Sequence, residues 1–159
     1  MNPVTNKVYV AVQGSGFSYA PGNVTEIDGA THETVAIPAG LQPVSLAINT
    51  ATNKIYVAGG QSNGDVTVID GVTRQTAHVA IPYGQFGFAA LGSVAINEVT
   101  NTIYVTDSMS TNLIVIDGTT NEVSLRPVPL YSSFVTINPA NNHVYVSNSN
   151  DATVTIIQQ

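Results

Sequence analysis

The chain has 159 residues, no cysteine and a formal net charge of −6, so disulfides, thiolate metal sites and a cysteine nucleophile are excluded. Its four cations, Lys7, Lys54, Arg74 and Arg126, are scattered, which excludes a double-stranded DNA or anionic-membrane binder that would need clustered positive charge. Only 9% of residues are charged, but 43% are apolar and alternate regularly, so the chain is expected to fold as one domain rather than remain disordered.

The first segments, Met1 to Asn6, are neither basic nor followed by an apolar run, so they do not read as a secretory signal. No apolar run approaches the ~20 residues of a membrane span. Residues 8–12, 24–27 and 34–37 are short runs rich in β-branched and aromatic residues, as strands require. Four more runs follow at 44–48, 55–58, 66–69 and 77–81, and another four at 94–96, 103–106, 113–116 and 123–128. The last three are 134–137, 144–147 and 154–157. Nothing shows helical period at useful length, and an all-β chain is expected.

These runs are copies of one another. Asn2-Pro-Val-Thr-Asn-Lys-Val-Tyr-Val10 recurs from Asn49, from Asn97 and from Asn138, at spacings of 47, 48 and 41 residues. A second string travels with it: Val24-Thr-Glu-Ile-Asp-Gly29, Val66-Thr-Val-Ile-Asp-Gly71, Leu113-Ile-Val-Ile-Asp-Gly118 and Val154-Thr-Ile-Ile-Gln-Gln159. With the four strands of a full repeat labelled a to d, Asn-x-x-Thr-Asn lies between a and b and supplies left-handed backbone at low cost. Asp-Gly lies between c and d, where the glycine is expected to adopt positive φ. Four antiparallel strands per repeat of roughly 40–48 residues is the signature of a β-propeller of four-stranded blades.

The Asn-x-x-Thr-Asn-x-(Val/Ile)-Tyr-Val and Val-x-Val-Ile-Asp-Gly strings resemble YVTN-type propeller repeats, as in YncE-like and bacterial surface-layer proteins. The resemblance covers nearly the whole chain. It implies an exported, cell-surface or periplasmic location, and a fold that hosts many roles. Blades are expected at approximately 1–43, 44–92, 93–133 and 134–159. The outer two are incomplete: strand order reads b-c-d, a-b-c-d, a-b-c-d, a-b-c. About 3.5 blades would leave apolar faces and strand edges open. A partial ring of a larger propeller, or a ring closed by a second copy, is therefore expected.

Residues that recur in every blade are expected to be structural: Tyr9, Tyr56, Tyr104 and Tyr145 as packing between blades, and Asp28, Asp70 and Asp117 as turn acceptors. The b–c and d–a loops open on one face of the disc. Two are expanded there, residues 13–22 and 82–92. Of the seven aromatics outside the consensus tyrosine, six lie in these loops: Phe17, Tyr19, Tyr83, Phe86, Phe88 and Tyr131. Aromatic loops on a rigid scaffold suit a binding face for a protein or glycan. The alternative is that Phe86 and Phe88 plug a gap between blades.

Asn63-Gly-Asp65, Asp107-Ser-Met-Ser110 and Asn148-Ser-Asn-Asp151 offer calcium-type oxygens without EF-hand spacing, and are expected to act as turns. His32, His78 and His143 fall at different repeat positions, so no zinc site is expected. No nucleophile motif, phosphate loop or carboxylate pair is present, and neither catalytic residues nor a cofactor are expected. Glu26 is the one carboxylate in a strand c, where other repeats have Val68, Val115 and Ile156. A non-enzymatic scaffold is expected; the alternative is a fragment of a propeller enzyme (lactonase, lyase or periplasmic oxidoreductase-like) whose active residues lie elsewhere.

Overall fold

A computed structural model describes residues 1–15, 20–60, 64–82 and 89–158. These residues form fourteen strands in four antiparallel sheets. The first sheet joins β1 (Lys7–Val12), β2 (Pro21–Asp28) and β3 (Thr34–Leu41). The second joins β4 (Pro43–Asn49), β5 (Lys54–Gly59), β6 (Asp65–Asp70) and β7 (Thr76–Ala80). The third joins β8 (Leu91–Asn97), β9 (Thr102–Asp107), β10 (Asn112–Asp117) and β11 (Val123–Pro127). The fourth joins β12 (Ser132–Asn138), β13 (His143–Asn148) and β14 (Thr153–Ile157). Each sheet is a meander in chain order, as the repeats require. The chain is an all-β propeller-type array, and no helix among the described residues is long and apolar enough to cross a membrane.

Strand alternation gives every sheet two faces, and the sheets stack in one sense. The leading face of the first sheet contributes Tyr9, Val24, Ile37 and Ala39 to a core shared with Ile55, Val57 and Ile69 on the trailing face of the second. The leading face of the second (Tyr56, Val66, Val68, Val79) meets the trailing face of the third (Val94, Ile103, Val105, Ile114, Ile116). Tyr104, Leu113 and Val128 of the third then meet Val135, Val144 and Val146 of the fourth. Burying each such side chain stabilises by roughly 1.5–3 kcal/mol, so the stack rather than the single sheet is the stable unit. Tyr9, Tyr56 and Tyr104 are buried under the following sheet, and Tyr145 of the last sheet is only half-buried.

The a–b turns behave as expected. Asn6, Asn53, Asn101 and Asn142 all take the left-handed conformation, at φ 53°, 51°, 51° and 58°. The leading asparagine of each turn does more than close it. Asn49 Oδ1 accepts from the Ala51 and Thr52 amides, at 3.0 and 3.1 Å. Its Nδ2 crosses to the next sheet and donates to Asn101 Oδ1 at 2.8 Å. Asn2 donates likewise to Asn53 at 2.8 Å, and Asn97 to Asn142 at 3.4 Å. A row of asparagine pairs thus staples each sheet to its successor.

The Asp-Gly turns need a correction. Gly29, Gly71 and Gly118 do not adopt positive φ; that conformation falls instead on His32, Arg74 and Asn121. The glycine is required by close approach. Its amide donates to the carbonyl of the last a–b asparagine, 2.8 Å in all three blades. A Cβ at Gly71 would stand 2.6 Å from Asn53 Oδ1. The aspartates act as turn acceptors: Asp70 Oδ1 takes the Val72 and Thr73 amides at 2.9 and 2.8 Å, with matching pairs at Asp28 and Asp117. These amides hold all three carboxyls below the usual aspartate value.

Candidate binding face

The d–a and b–c loops meet on one face because the residue before each strand a accepts a hydrogen bond from a b–c loop. The Gly60 amide donates to the Gln42 carbonyl (2.7 Å), the Ser108 amide to Ala90 (3.1 Å) and the Ser149 amide to Tyr131 (3.2 Å). Gln42 and Tyr131 are left-handed at φ 45° and 63°. Position 131 is therefore a repeat position whose carbonyl is anchored in each of these three blades and whose side chain varies: glutamine, alanine, tyrosine. That equivalence is not visible from residue types and emerges only from the hydrogen bonds.

Tyr131 is the one expected binding-face aromatic within the described residues, and it is exposed. Its carbonyl also accepts from Ser149 Oγ (2.9 Å) and Ser133 Oγ (3.2 Å), so its backbone is held from two sides. Phe17, Tyr19, Tyr83, Phe86 and Phe88 lie outside the described residues. Phe134, the remaining non-consensus aromatic, is on β12 and strongly exposed.

Asp107 closes the third b–c loop from a buried position. Its Oδ1 accepts from the Ala90 and Met109 amides, both at 2.9 Å, and so ties the d–a loop to the b–c loop. Asn148, at the same repeat position, donates to Thr153 Oγ1 and Thr155 Oγ1 at 3.1 and 3.0 Å. Both side chains act as turn supports. Among the described residues no three His, Asp or Glu side chains converge in a way that could hold a metal ion. His32, His78 and His143 sit in separate sheets or their turns: His32 beyond β2, His78 beside Thr67 Oγ1 (3.4 Å), and His143 at the start of β13.

One charged cluster lies between the first two sheets. Glu26 on β2 is buried, and its Oε1 accepts from Lys7 Nζ (2.7 Å) on β1 and from Arg74 (2.9 Å) in the β6–β7 turn of the next sheet. Burial pushes the Glu26 carboxyl up, but the hydrogen bonds and charges of Lys7 and Arg74 outweigh it and leave it below its ordinary value. The neighbouring Tyr9 phenol is pushed up to about 12, first by burial and then by the Glu26 charge. Among the described residues, Glu26 Oε2 and the Tyr9 hydroxyl have no hydrogen-bond partner of good geometry. With both cations committed to one oxygen, the cluster is a clamp between sheets. At the second junction, where Glu26 is replaced by Val68, Lys54 Nζ and the Tyr56 hydroxyl donate to the Gly118 carbonyl (3.3 and 3.5 Å).

Cavities lie at both ends of the array. A pocket of about 20 Å³, room for roughly one water, lies between the first two sheets among Gly40, Gly59, Asp65 and Thr67. A groove of about 580 Å³ opens at the opposite, turn side of the array. Tyr104, Asp117 and Arg126 of the third sheet and Ile157 of the fourth line it. At the two earlier junctions the c–d turn of the following sheet reaches the preceding sheet here, through Arg74 to Glu26 and through the Gly118 carbonyl to Lys54 and Tyr56.

No family model matches the chain, and no curated protein matches it. Solved structures do. The chain superimposes over its full length on 57% of a chain of Kuenenia stuttgartiensis hydrazine synthase, with a TM-score of 0.80 and 14% identity. It matches a periplasmic gluconolactonase of Pseudomonas aeruginosa at TM-score 0.72 and 12% identity, covering 99% of this chain and 52% of that one. An auxiliary nutrient binding protein of Bacteroides thetaiotaomicron gives 0.70 and 12%, covering 98% and 36%. The chain spans roughly half of these relatives' length or less. At such identities the likeness speaks for the fold alone: these neighbours are β-propeller proteins, and the present chain is an array of β-propeller blades.

Proposed function

We propose that this chain is a non-enzymatic binding scaffold of the YVTN-repeat type, exported to the cell surface or periplasm. Its ligand, a protein or glycan, contacts the loop face through Tyr131 together with Phe17, Tyr19, Tyr83, Phe86 and Phe88. One observation carries the reading. The Tyr131 carbonyl is held by three hydrogen bonds and its side chain is exposed, while the equivalent positions carry Gln42 and Ala90. Fixed backbone with variable, low-entropy aromatic side chains is how loop-borne recognition surfaces are built. Export is supported by the likeness to the periplasmic gluconolactonase of Pseudomonas aeruginosa.

Screening the chain against immobilised oligosaccharides and envelope-protein peptides tests this. Tyr131→Ala and Phe86→Ala should each weaken a hit by about tenfold or more, as central aromatic contacts do, with an unchanged melting temperature. Binding that ignores both substitutions refutes the assignment of the face. A second reading, a fragment of a propeller enzyme, is favoured by the gluconolactonases among the neighbours. Turnover of gluconolactone by the chain would replace the scaffold reading with that one.

A further inference from the structure

The side chains that join the first sheet to the second are close copies of those that join the second to the third. Tyr9 and Val24 of the first sheet correspond to Tyr56 and Val66 of the second. Ile55, Val57 and Ile69, which receive the first sheet, correspond to Ile103, Val105 and Ile116, which receive the second. The asparagine staples are copies too, Asn2 to Asn53 and Asn49 to Asn101, both at 2.8 Å. Bulk differs at the loop end, where Ala39 and Thr67 correspond to Ile81 and Ile114, but Ala39 against Ile114 brings a small side chain to a large one and does not forbid the contact. By apolar shape and staples alone, the first sheet would accept the third as a partner as well as the second. Chains of similar repeats are open to that error while they fold, within one molecule or between two.

We propose that Glu26 and Arg74 form a key that selects the second sheet as the partner of the first. This does not depend on the ligand reading. Glu26 stands where strand c elsewhere carries Val68 and Val115, and Arg74 stands where the other c–d turns carry His32 and Asn121. The two exceptions meet at one junction: Glu26 Oε1 accepts from Arg74 at 2.9 Å, and from Lys7 of its own sheet at 2.7 Å. Stacked on the third sheet, the first would find Asn121 at the place of Arg74, and the buried carboxylate would keep Lys7 alone. The second sheet stacked on the second sheet of another chain would bring Arg74 to Lys54 and Val68, two cations with no carboxylate between them. Both wrong pairings are penalised by charge where the apolar faces do not discriminate.

The geometry suits selection better than it suits tight packing. Glu26 Oε2 and the Tyr9 hydroxyl are buried and have no hydrogen-bond partner among the described residues. At the second junction the place is filled by Val68, and the Tyr56 hydroxyl shares the Gly118 carbonyl with Lys54. A buried ion pair adds little net stability over such an apolar residue, whereas removing one partner is costly because it strands the other charge. That asymmetry punishes a wrong pairing more than it rewards the right one.

Refolding of the full chain from urea, followed by size-exclusion chromatography, tests the proposal. Glu26→Val/Arg74→Asn gives the first junction the residues of the second, and asparagine tolerates the φ of 61° at position 74. In low salt, the share of chains returning to the elution position of protein never exposed to urea should fall at least about twofold in this variant, the remainder eluting as larger species. Sodium chloride at about 1 M should bring the wild type down to the variant and leave the variant unchanged, since only the wild type selects by charge. Arg74→Lys, which keeps the charge, should recover as the wild type does. If the double variant is also less stable, the wild type is refolded in residual urea that matches the two stabilities, which separates lost selection from lost stability. Equal recovery of wild type and double variant in low salt overturns the proposal. So does a deficit that vanishes at matched stability, or a wild type whose recovery ignores salt.

Discussion

Replacing Asn49 by alanine removes three hydrogen bonds from a fully buried site: two from the Ala51 and Thr52 amides and one to Asn101 Oδ1. At about 0.5–1.5 kcal/mol net per bond, the cost should be about 2–3 kcal/mol. The part due to the inter-sheet staple can be isolated. Asn101→Gly removes the acceptor while keeping the left-handed φ of 51° that glycine tolerates. In the double mutant Asn49→Ala/Asn101→Gly the staple is already gone after the first change, so the two costs should fall short of additivity by about 1 kcal/mol. Urea unfolding followed by circular dichroism measures all four proteins, with a constant m-value required for comparison. The same cycle on Asn97 and Asn142, separated by 3.4 Å rather than 2.8 Å, should give a smaller coupling. Coupling near zero at Asn49–Asn101 would refute the idea that the asparagine row joins the sheets and would reduce Asn49 to a turn residue.

Gly71→Ala should destabilise by about 1–3 kcal/mol, since its Cβ would stand 2.6 Å from Asn53 Oδ1; an unchanged denaturation midpoint would show that the turn relaxes freely. Ala152→Gly should stabilise by about 0.5–1 kcal/mol, because alanine at φ 51° carries left-handed strain; a loss of stability would contradict the strain assignment. The carboxyls of Asp28, Asp70, Asp117 and Glu26 are all held below their ordinary values of 3.8 and 4.5, so their stabilisation is complete above those values and is lost as pH falls through the lower folded ones. Acid unfolding below about pH 4.5 is the expected result. Glu26→Val places the residue of Val68 and Val115 there but leaves the partly exposed Lys7 and Arg74 without their carboxylate, so it should cost about 1–3 kcal/mol at neutral pH while flattening the acid limb of the stability curve. A larger loss, constant with pH, would give Glu26 a role other than the Lys7–Arg74 clamp.

Strand order, turn chemistry and the packing role of the tyrosines were legible in the sequence because each rests on short-range regularity. Period-two alternation sets the strands, asparagine tolerates left-handed backbone, and a residue repeated in every blade must serve something every blade shares. Even there the glycine of Asp-Gly was legible for the wrong reason. Its amide and its bare Cα meet an asparagine some twenty residues earlier in the chain, a contact that no local rule reports. The same limit hid the Arg74–Glu26 bridge and the Asn49–Asn101 staple, whose partners are 48 and 52 residues apart. A single carboxylate among valines looked like an oddity, and only the adjacent sheet supplies the cation that explains it.

The amino-acid sequence by itself therefore determined the repeat, the fourteen strands and the face on which the variable loops open. Which face of each sheet leads and which trails, and where the buried charge is neutralised, were decided only by tertiary structure. The reason is that pairing within a sheet is set by neighbours in sequence, whereas packing between sheets joins residues about one full repeat apart.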